Sequence, residues 1–364
     1  MKKNTWCLIV TGMLVLVMVL SGCEMFFPPT TYESQPTKIR YDLSYGYRVN
    51  CSGTGRYEIT YLCDTPEVLL GTATYNLLYN TMYETKTMAN NTFIRWNISA
   101  NEDQTFTLGV TAQVNAQGFL VSDLNGVDAL TVQEIHENYP TIVHQFTHVQ
   151  ANETTRFIDP ENLEIQAIAR MTHEEAATNN SFLLAKSLFA WLKENIQYQT
   201  HPDESGVQSA TVTLQKKTGD CDDLSFLYVT LCRAAGIPAR FIRGYLLTVY
   251  DNGTADVTAH AWTEIFVGGS VGTNGWVPVE CACSVKSIVT DINQNFGVET
   301  AYHLRLFVDD GSNESLSCSL SSIAYVTYGQ QHIEPPQSFA EIKNYQVLES
   351  KKLVVKTDNT RLYE

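Results

Sequence analysis

The chain has 364 residues, 44% of them hydrophobic and 17% charged, a composition that builds a globular core and excludes a disordered or uniformly membrane-embedded protein. Its length exceeds that of a usual single domain, so two domains with short appendages are expected. Twenty-four Lys and Arg face 39 Asp and Glu, for a formal charge of −15, which argues against a nucleic-acid partner because neutralising phosphates takes clustered cations.

Lys2 and Lys3 precede an almost uninterrupted apolar run from Trp6 to Leu20, followed by Ser21-Gly22-Cys23. A basic start, a short apolar run and small residues at its end read as an export signal, and the run is short for a membrane span. The segment resembles a bacterial lipobox, which implies cleavage before Cys23 and lipid chains on the new N-terminal Cys23. An uncleaved signal anchor is the other reading. Residues 1–22 are then the signal peptide, and the body is expected outside the cytoplasm, held to the membrane through Cys23. Residues 23–38, with Pro28, Pro29 and Pro36, suit an extended tether.

Export places the remaining cysteines where disulfides can persist. Cys221 and Cys232 stand on one expected helix, about 16 Å apart along its axis, beyond the roughly 7 Å between Cα atoms that a bridge tolerates. Cys51 and Cys63 flank an expected turn at Ser52-Gly53-Thr54-Gly55, where pairing is open. Cys281, Cys283 and Cys318 could supply one bridge and leave one thiol.

From about residue 39 the pattern has period two. Tyr41, Leu43, Tyr45, Tyr47 and Val49 alternate with polar neighbours, as do Tyr57, Ile59 and Tyr61, the signature of half-buried strands. Ile94, Trp96 and Ile98, a polar turn over residues 101–104, and then Phe106, Leu108, Val110 and Ala112 suggest a hairpin. A β-sandwich over residues 39–150 is expected. His144 and His148 have helical metal-ligand spacing but lack the Glu of a zinc protease, and they lie in a segment read as a strand.

The period becomes helical over 162–172 and 181–197, with a shorter helix over 209–217. Gly219 breaks the chain, and Asp220 is placed to cap a helix from Cys221 to Ala235, ended by Gly236 and Pro238. That helix is apolar on nearly all sides, as one running through a core would be. Strands are expected at about 239–249, 255–267 and 275–281, and the stretch 326–364 is read as a C-terminal extension whose Lys352–Val355 forms a final strand.

Three ordered blocks carry a resemblance. Thr218-Gly219-Asp220-Cys221-Asp222-Asp223, leading into Leu231-Cys232-Arg233-Ala234-Ala235-Gly236-Ile237-Pro238, looks like the nucleophile segment of the transglutaminase-like superfamily. Ala259-His260-Ala261-Trp262-Thr263-Glu264 resembles its His strand, and Gly275-Trp276-Val277-Pro278-Val279-Glu280 its third-residue strand. The resemblance covers roughly residues 160–290. It implies a papain/transglutaminase-like domain, placed at 151–325, with Cys221 as nucleophile, His260 as base and Glu280 orienting the imidazole; with the β-sandwich read from the strand pattern before it, the fold expected is α+β. The family normally has Asp in that last place.

Residue chemistry stands beside the resemblance. A thiol in the first turn of a helix has its thiolate favoured by the dipole and by unpaired N–H groups, and an imidazole from a neighbouring strand can pair with it. Asp220, Asp222 and Asp223 oppose a thiolate but suit the helix start. Trp262 and Trp276 read as packing, Glu264 as solvent-facing. The expected function is that of a cysteine peptidase, amidase or transamidase acting on peptide or isopeptide amides of a peptide or protein substrate through a thioester. The alternative is a non-catalytic envelope module. No cofactor or metal is called for: Cys281-x-Cys283 lacks the second pair of a zinc site. Oligomeric state is left open.

Overall fold

The computed structural model describes residues 28–200, 206–282, 287–319 and 323–364. The segment read as an export signal, Cys23 and Cys283 lie outside these residues. Among the described residues no helix is long and apolar enough to cross a membrane. Strands of four or more residues are numbered here from the N-terminus, and helices likewise.

The N-terminal unit is a single eight-stranded sheet rather than the expected sandwich of two sheets, and it is built on one strand. β1 runs from Thr30–Asp64, followed by β2 (Gly71–Leu77), β3 (Tyr83–Met88), β4 (Asn91–Ala100) and β5 (Gln104–Gln117). The first part of β1 pairs with β5 and its later part with β4, both antiparallel. Its inward residues Ile39, Tyr41, Leu43, Tyr45 and Val49, then Tyr57, Ile59 and Tyr61, are all buried, so the period-two reading gives the right face. Tyr61 stacks on Trp96 at 5.7 Å, and Tyr57 meets Phe106 edge-on at 6.1 Å. At one crossing Gly46 stands opposite Gly109, with φ of +148° and +149°. A Cβ on Gly46 would lie 2.0 Å from the Leu108 carbonyl oxygen, so only glycine permits this approach.

Several expectations are corrected. Ser52-Gly53-Thr54-Gly55 makes no turn; Cys51 and Cys63 lie on the same strand as buried free thiols, and twelve residues of extended chain separate them by far more than a disulfide spans. β4 and β5 follow the expected pattern but do not form a hairpin with each other, because both run antiparallel to β1 and follow one another along it, β4 on residues 57–64 and β5 on residues 38–51. The tether ends early, since from Thr30 the chain is already strand, with Pro36 at a register shift where its missing N–H is tolerated. The strand region also ends early: α1 (Val132–Asn138) and α2 (Pro140–Phe146) occupy its last part. His144 is therefore helical. His148 spends both ring nitrogens on the carbonyl oxygens of His144 and Gly311, at 2.9 and 2.8 Å.

The second unit begins with α3 (Leu163–Ala176), α4 (Ser181–Asn195) and α5 (Ala210–Lys216), close to the helical stretches read from periodicity. α6 (Cys221–Ala234) is buried from Asp223 to Arg233. It packs against an antiparallel sheet ordered β8-β7-β6-β9, made of β6 (Ala239–Val249), β7 (Ala255–Phe266), β8 (Trp276–Val279) and β9 (His303–Val308). Phe226, Leu227, Val229 and Leu231 of α6 join Phe241, Ile265, Val277 and Val279 in one core, each large side chain contributing about 1.5–3 kcal/mol by burial. α7 (Ile288–Asn295) and α8 (Asn313–Ser319) complete the unit.

The C-terminal segment is not an appendage. β10 (Ala324–Ile333) and β11 (Gln337–Val355) pair with the later and earlier parts of β1, returning the chain to the first sheet. Beyond them Arg361 is 1% exposed, and its guanidinium donates to the carbonyls of Val121, Asn293 and Phe296. One side chain thus ties the C-terminal strand segment to the helical unit.

Candidate active site

α6 begins where it does because Asp220 and Asp223 form a capping box. The Asp220 N–H donates to Asp223 Oδ2 at 3.1 Å, and the same buried carboxylate accepts from the backbone and side chain of Gln208 at 2.7 and 2.6 Å. Cys221 is therefore the first helical residue, half-buried, in the turn whose N–H groups have no intrahelical acceptor. The two acids at 220 and 223 belong to the helix start. Asp222 differs: its Oδ1 lies 4.0 Å from the Cys221 sulfur.

His260 of β7 is within hydrogen-bonding reach of the Cys221 thiol. Its Nε2 lies 2.6 Å from Glu280 Oε2, which leaves Nδ1 for the sulfur. Glu280 follows β8 and is fixed at its other oxygen, where Oε1 accepts the Ala282 N–H at 2.7 Å. The structure thus brings Cys221, His260 and Glu280 together, the longer acid reaching the imidazole directly. Sequence reading missed His303. Its Nε2 lies 3.0 Å from the same Glu280 oxygen, and its Nδ1 is 2.9 Å from the Thr300 hydroxyl. Only the arrival of β9 beside β6 puts it there, and no local pattern marks it.

Trp262, two residues on, is 1% exposed and stacks on the His260 ring at 6.0 Å and 22°. Its indole N–H donates to Glu299 at 2.9 Å. Trp276 is half-buried beneath the Arg240 guanidinium, 4.0 Å from its ring centre. The expectation for Glu264 is corrected. It is 1% exposed and lies between Arg240 and Arg305, at 2.5 Å from each, while Arg305 also holds Glu299. An acid there must be buried because β7 is covered on that face, and it is tolerated because two guanidiniums meet it.

Electrostatics follow from these contacts. Burial alone would raise the Glu280 carboxyl, but the charge and hydrogen bonds of His260 and then His303 hold it well below the usual carboxylate range. Burial opposes protonation of His260, yet the Glu280 carboxylate and the Cys221 hydrogen bond outweigh it and push the imidazole up to about 10. Burial pushes the Cys221 thiol up; His260 offsets part of this, and Asp222 and Asp220 add to it. Asp222 itself is pushed up to about 6 by burial and by Asp220 and Asp223.

His260 Nε2, Glu280 Oε2 and His303 Nε2 lie within 4.8 Å of one another, a donor set able to hold a transition ion. Each is already engaged by a hydrogen bond. Cys232 and Cys281 are buried free thiols, the first pushed up to about 12 by burial and the second raised further, so neither is a competing nucleophile.

Two outcomes test this electrostatic picture. Asp222→Asn removes the negative charge beside the sulfur, so the Cys221 thiolate fraction at pH 7 should rise by up to about tenfold per unit of pKa change, read as a faster iodoacetamide labelling rate; an unchanged or slower rate would contradict it. Glu264 is held down to about 2 by Arg305 and Arg240 despite burial. A depressed acid adds stability above its unfolded value near 4.5, and that stability is lost as pH falls towards about 2. Glu264→Gln should therefore cost about 3–5 kcal/mol in urea unfolding at pH 7, with the gap to the native protein narrowing below pH 4.

Residues 166–281 match the family described as the transglutaminase-like superfamily. The uncharacterized protein YebA of Bacillus subtilis is 34% identical over 106 residues, which cover 27% of this chain and 13% of YebA. The uncharacterized protein ML0607 of Mycobacterium leprae is 26% identical over 114 residues, covering 30% and 39%. The match thus spans well under half of either relative. Among solved structures, a candidate cysteine protease from Cytophaga hutchinsonii aligns over 92% of this chain and 100% of its own, at TM-score 0.49 and 15% identity. The periplasmic domain of TgpA from Pseudomonas aeruginosa aligns over 68% and 92%, at TM-score 0.35 and 16% identity. The chain carries, over residues 166–281, a transglutaminase-like domain.

Proposed function

We propose that this chain is an exported, lipid-anchored cysteine enzyme, a peptidase, amidase or transamidase that cleaves a peptide or isopeptide amide through a thioester on Cys221. The observation that carries the reading is the His260 imidazole, paired with Glu280 at 2.6 Å and within reach of the Cys221 thiol at the start of a buried helix. His260 Nδ1 takes the thiol proton, and the sulfur attacks the amide carbon. The tetrahedral oxyanion forms against the first-turn N–H of Cys221. His260 returns the proton to the departing nitrogen, the C–N bond breaks, and the thioester remains. Water or a second amine then attacks it, His260 again taking the proton, to release acid or new amide.

A cavity of about 170 Å³ lies between the N-terminal sheet and the second sheet, lined by Tyr45, Tyr47, Tyr61, Arg243, Tyr245 and Phe339, and by Ala259, which precedes His260. It supports a role for the N-terminal sheet in receiving substrate. Tyr45 meets Tyr245 edge-on at 5.6 Å, and Arg243 pairs with Asp64 at 2.8 Å across the same junction. One observation favours a non-catalytic envelope module instead: the thiol is raised by burial and by Asp222.

Iodoacetamide labelling of Cys221 against pH, read by peptide mass spectrometry, separates the two. The enzyme reading expects the rate near pH 7 to fall at least about tenfold in His260→Ala, because the imidazole supplies both base and counter-charge. Labelling indifferent to His260 would leave the fold without the proposed chemistry. For the anchor, Cys23→Ala should move the protein from the membrane fraction to the soluble one, and a native N-terminal peptide without acyl mass would sink lipidation.

A further inference from the structure

We infer that His303 is a positioning residue for the acid of this site, the second imidazole that lets a glutamate orient His260. The inference rests on the proposed Cys221 chemistry and goes beyond it, since His303 lies outside the matched segment and outside the three sequence blocks.

Glutamate has one more rotatable bond than aspartate, and ordering its side chain forfeits more rotamer freedom. A carboxylate that orients a general base must nevertheless be held within a few tenths of an ångström and a small angle of its productive place. Glu280 is held at both oxygens. Ala282 N–H fixes Oε1, at 2.7 Å, and two imidazole nitrogens converge on Oε2, at 2.6 and 3.0 Å. Without His303 that oxygen would keep only the hydrogen bond it is meant to aim.

The environment sets the His303 tautomer. The Thr300 hydroxyl can donate to Nδ1, which leaves Nε2 to carry the proton towards Glu280. His303 is itself locked: it is 5% exposed and edge-on to Trp262 at 4.8 Å, the same indole that stacks on His260. Both imidazoles therefore present a donor to one oxygen, and one tryptophan fixes their ring planes. With its ring nitrogens on Glu280 and Thr300, His303 meets the triad at Glu280 and not at the sulfur, and its ring lies 5.8 Å from that of His260.

The test is the pH profile of Cys221 labelling in the full chain for the wild type, His303→Ala and His303→Gln. In His303→Ala the His260-dependent rate near pH 7 should fall by up to about a hundredfold, the scale of a misplaced catalytic group. His303→Gln, whose amide N–H reaches about as far, should restore most of it. Thr300→Val, which keeps the ring but removes the donor to Nδ1, should lose rate in the same direction and gives the answer should His303→Ala fail to fold. A profile identical in all variants, with His260 still required, would overturn the inference and leave the proposed function standing; a wild type indifferent to His260 would remove both. A profile that collapses on dialysis against EDTA and returns with zinc would overturn it too, making His260, Glu280 and His303 metal ligands.

Discussion

A buried carboxylate must be met by donors or cations, and this constraint organises one face of β7. Positions 260, 262 and 264 all turn to the same covered side, and each takes part in a contact that satisfies a buried acid: His260 meets Glu280, Trp262 meets Glu299, and Glu264 is itself met by Arg240 and Arg305. Arg305 joins the last two groups, and His303 closes the first. A layer of this kind tolerates no missing partner, because one orphaned charge in a low-dielectric interior costs more than the pair contributes. The candidate site is one end of that layer.

The N-terminal sheet and the second unit are joined by the C-terminal part of the chain. β1 meets β11 along its first part and β10 along its later part, and Arg361 then anchors the last residues against carbonyls of the helical unit. Leu247 of β6 and Leu304 and Leu306 of β9 lie in the core of the N-terminal sheet. The sheet carrying His260 and the strand carrying His303 are therefore positioned from both sides. The aromatic cavity at the junction is a consequence of this packing, with walls drawn from both units.

Chemically, the site balances two tendencies. Burial and Asp222 favour the protonated thiol of Cys221, while the Glu280 carboxylate favours the protonated imidazole of His260. Asp222 is pushed up to about 6 by burial and by its acidic neighbours, so the charge beside the sulfur is itself sensitive to mild acidity. A substrate that displaces water from the junction strengthens every one of these interactions.

By itself the sequence determined what depends on near neighbours in the chain. The capping residues Asp220 and Asp223 set the start of α6, and so the place of Cys221. The all-round apolar run of α6 requires burial, and the alternation in β1 selects its inner face. Three blocks in order name Cys221, His260 and Glu280. Tertiary structure alone decided the rest. Residues 51–63 are one strand rather than a turn because β4, β5, β10 and β11 all pair along β1, a fact spread over 300 residues of separation. Glu264 is buried because Arg240 and Arg305 arrive from other strands. His303 reaches Glu280 because β9 lies against β6. Hydrogen bonds between residues distant in the chain leave no periodic trace, since their partners are fixed by sheet order and not by spacing.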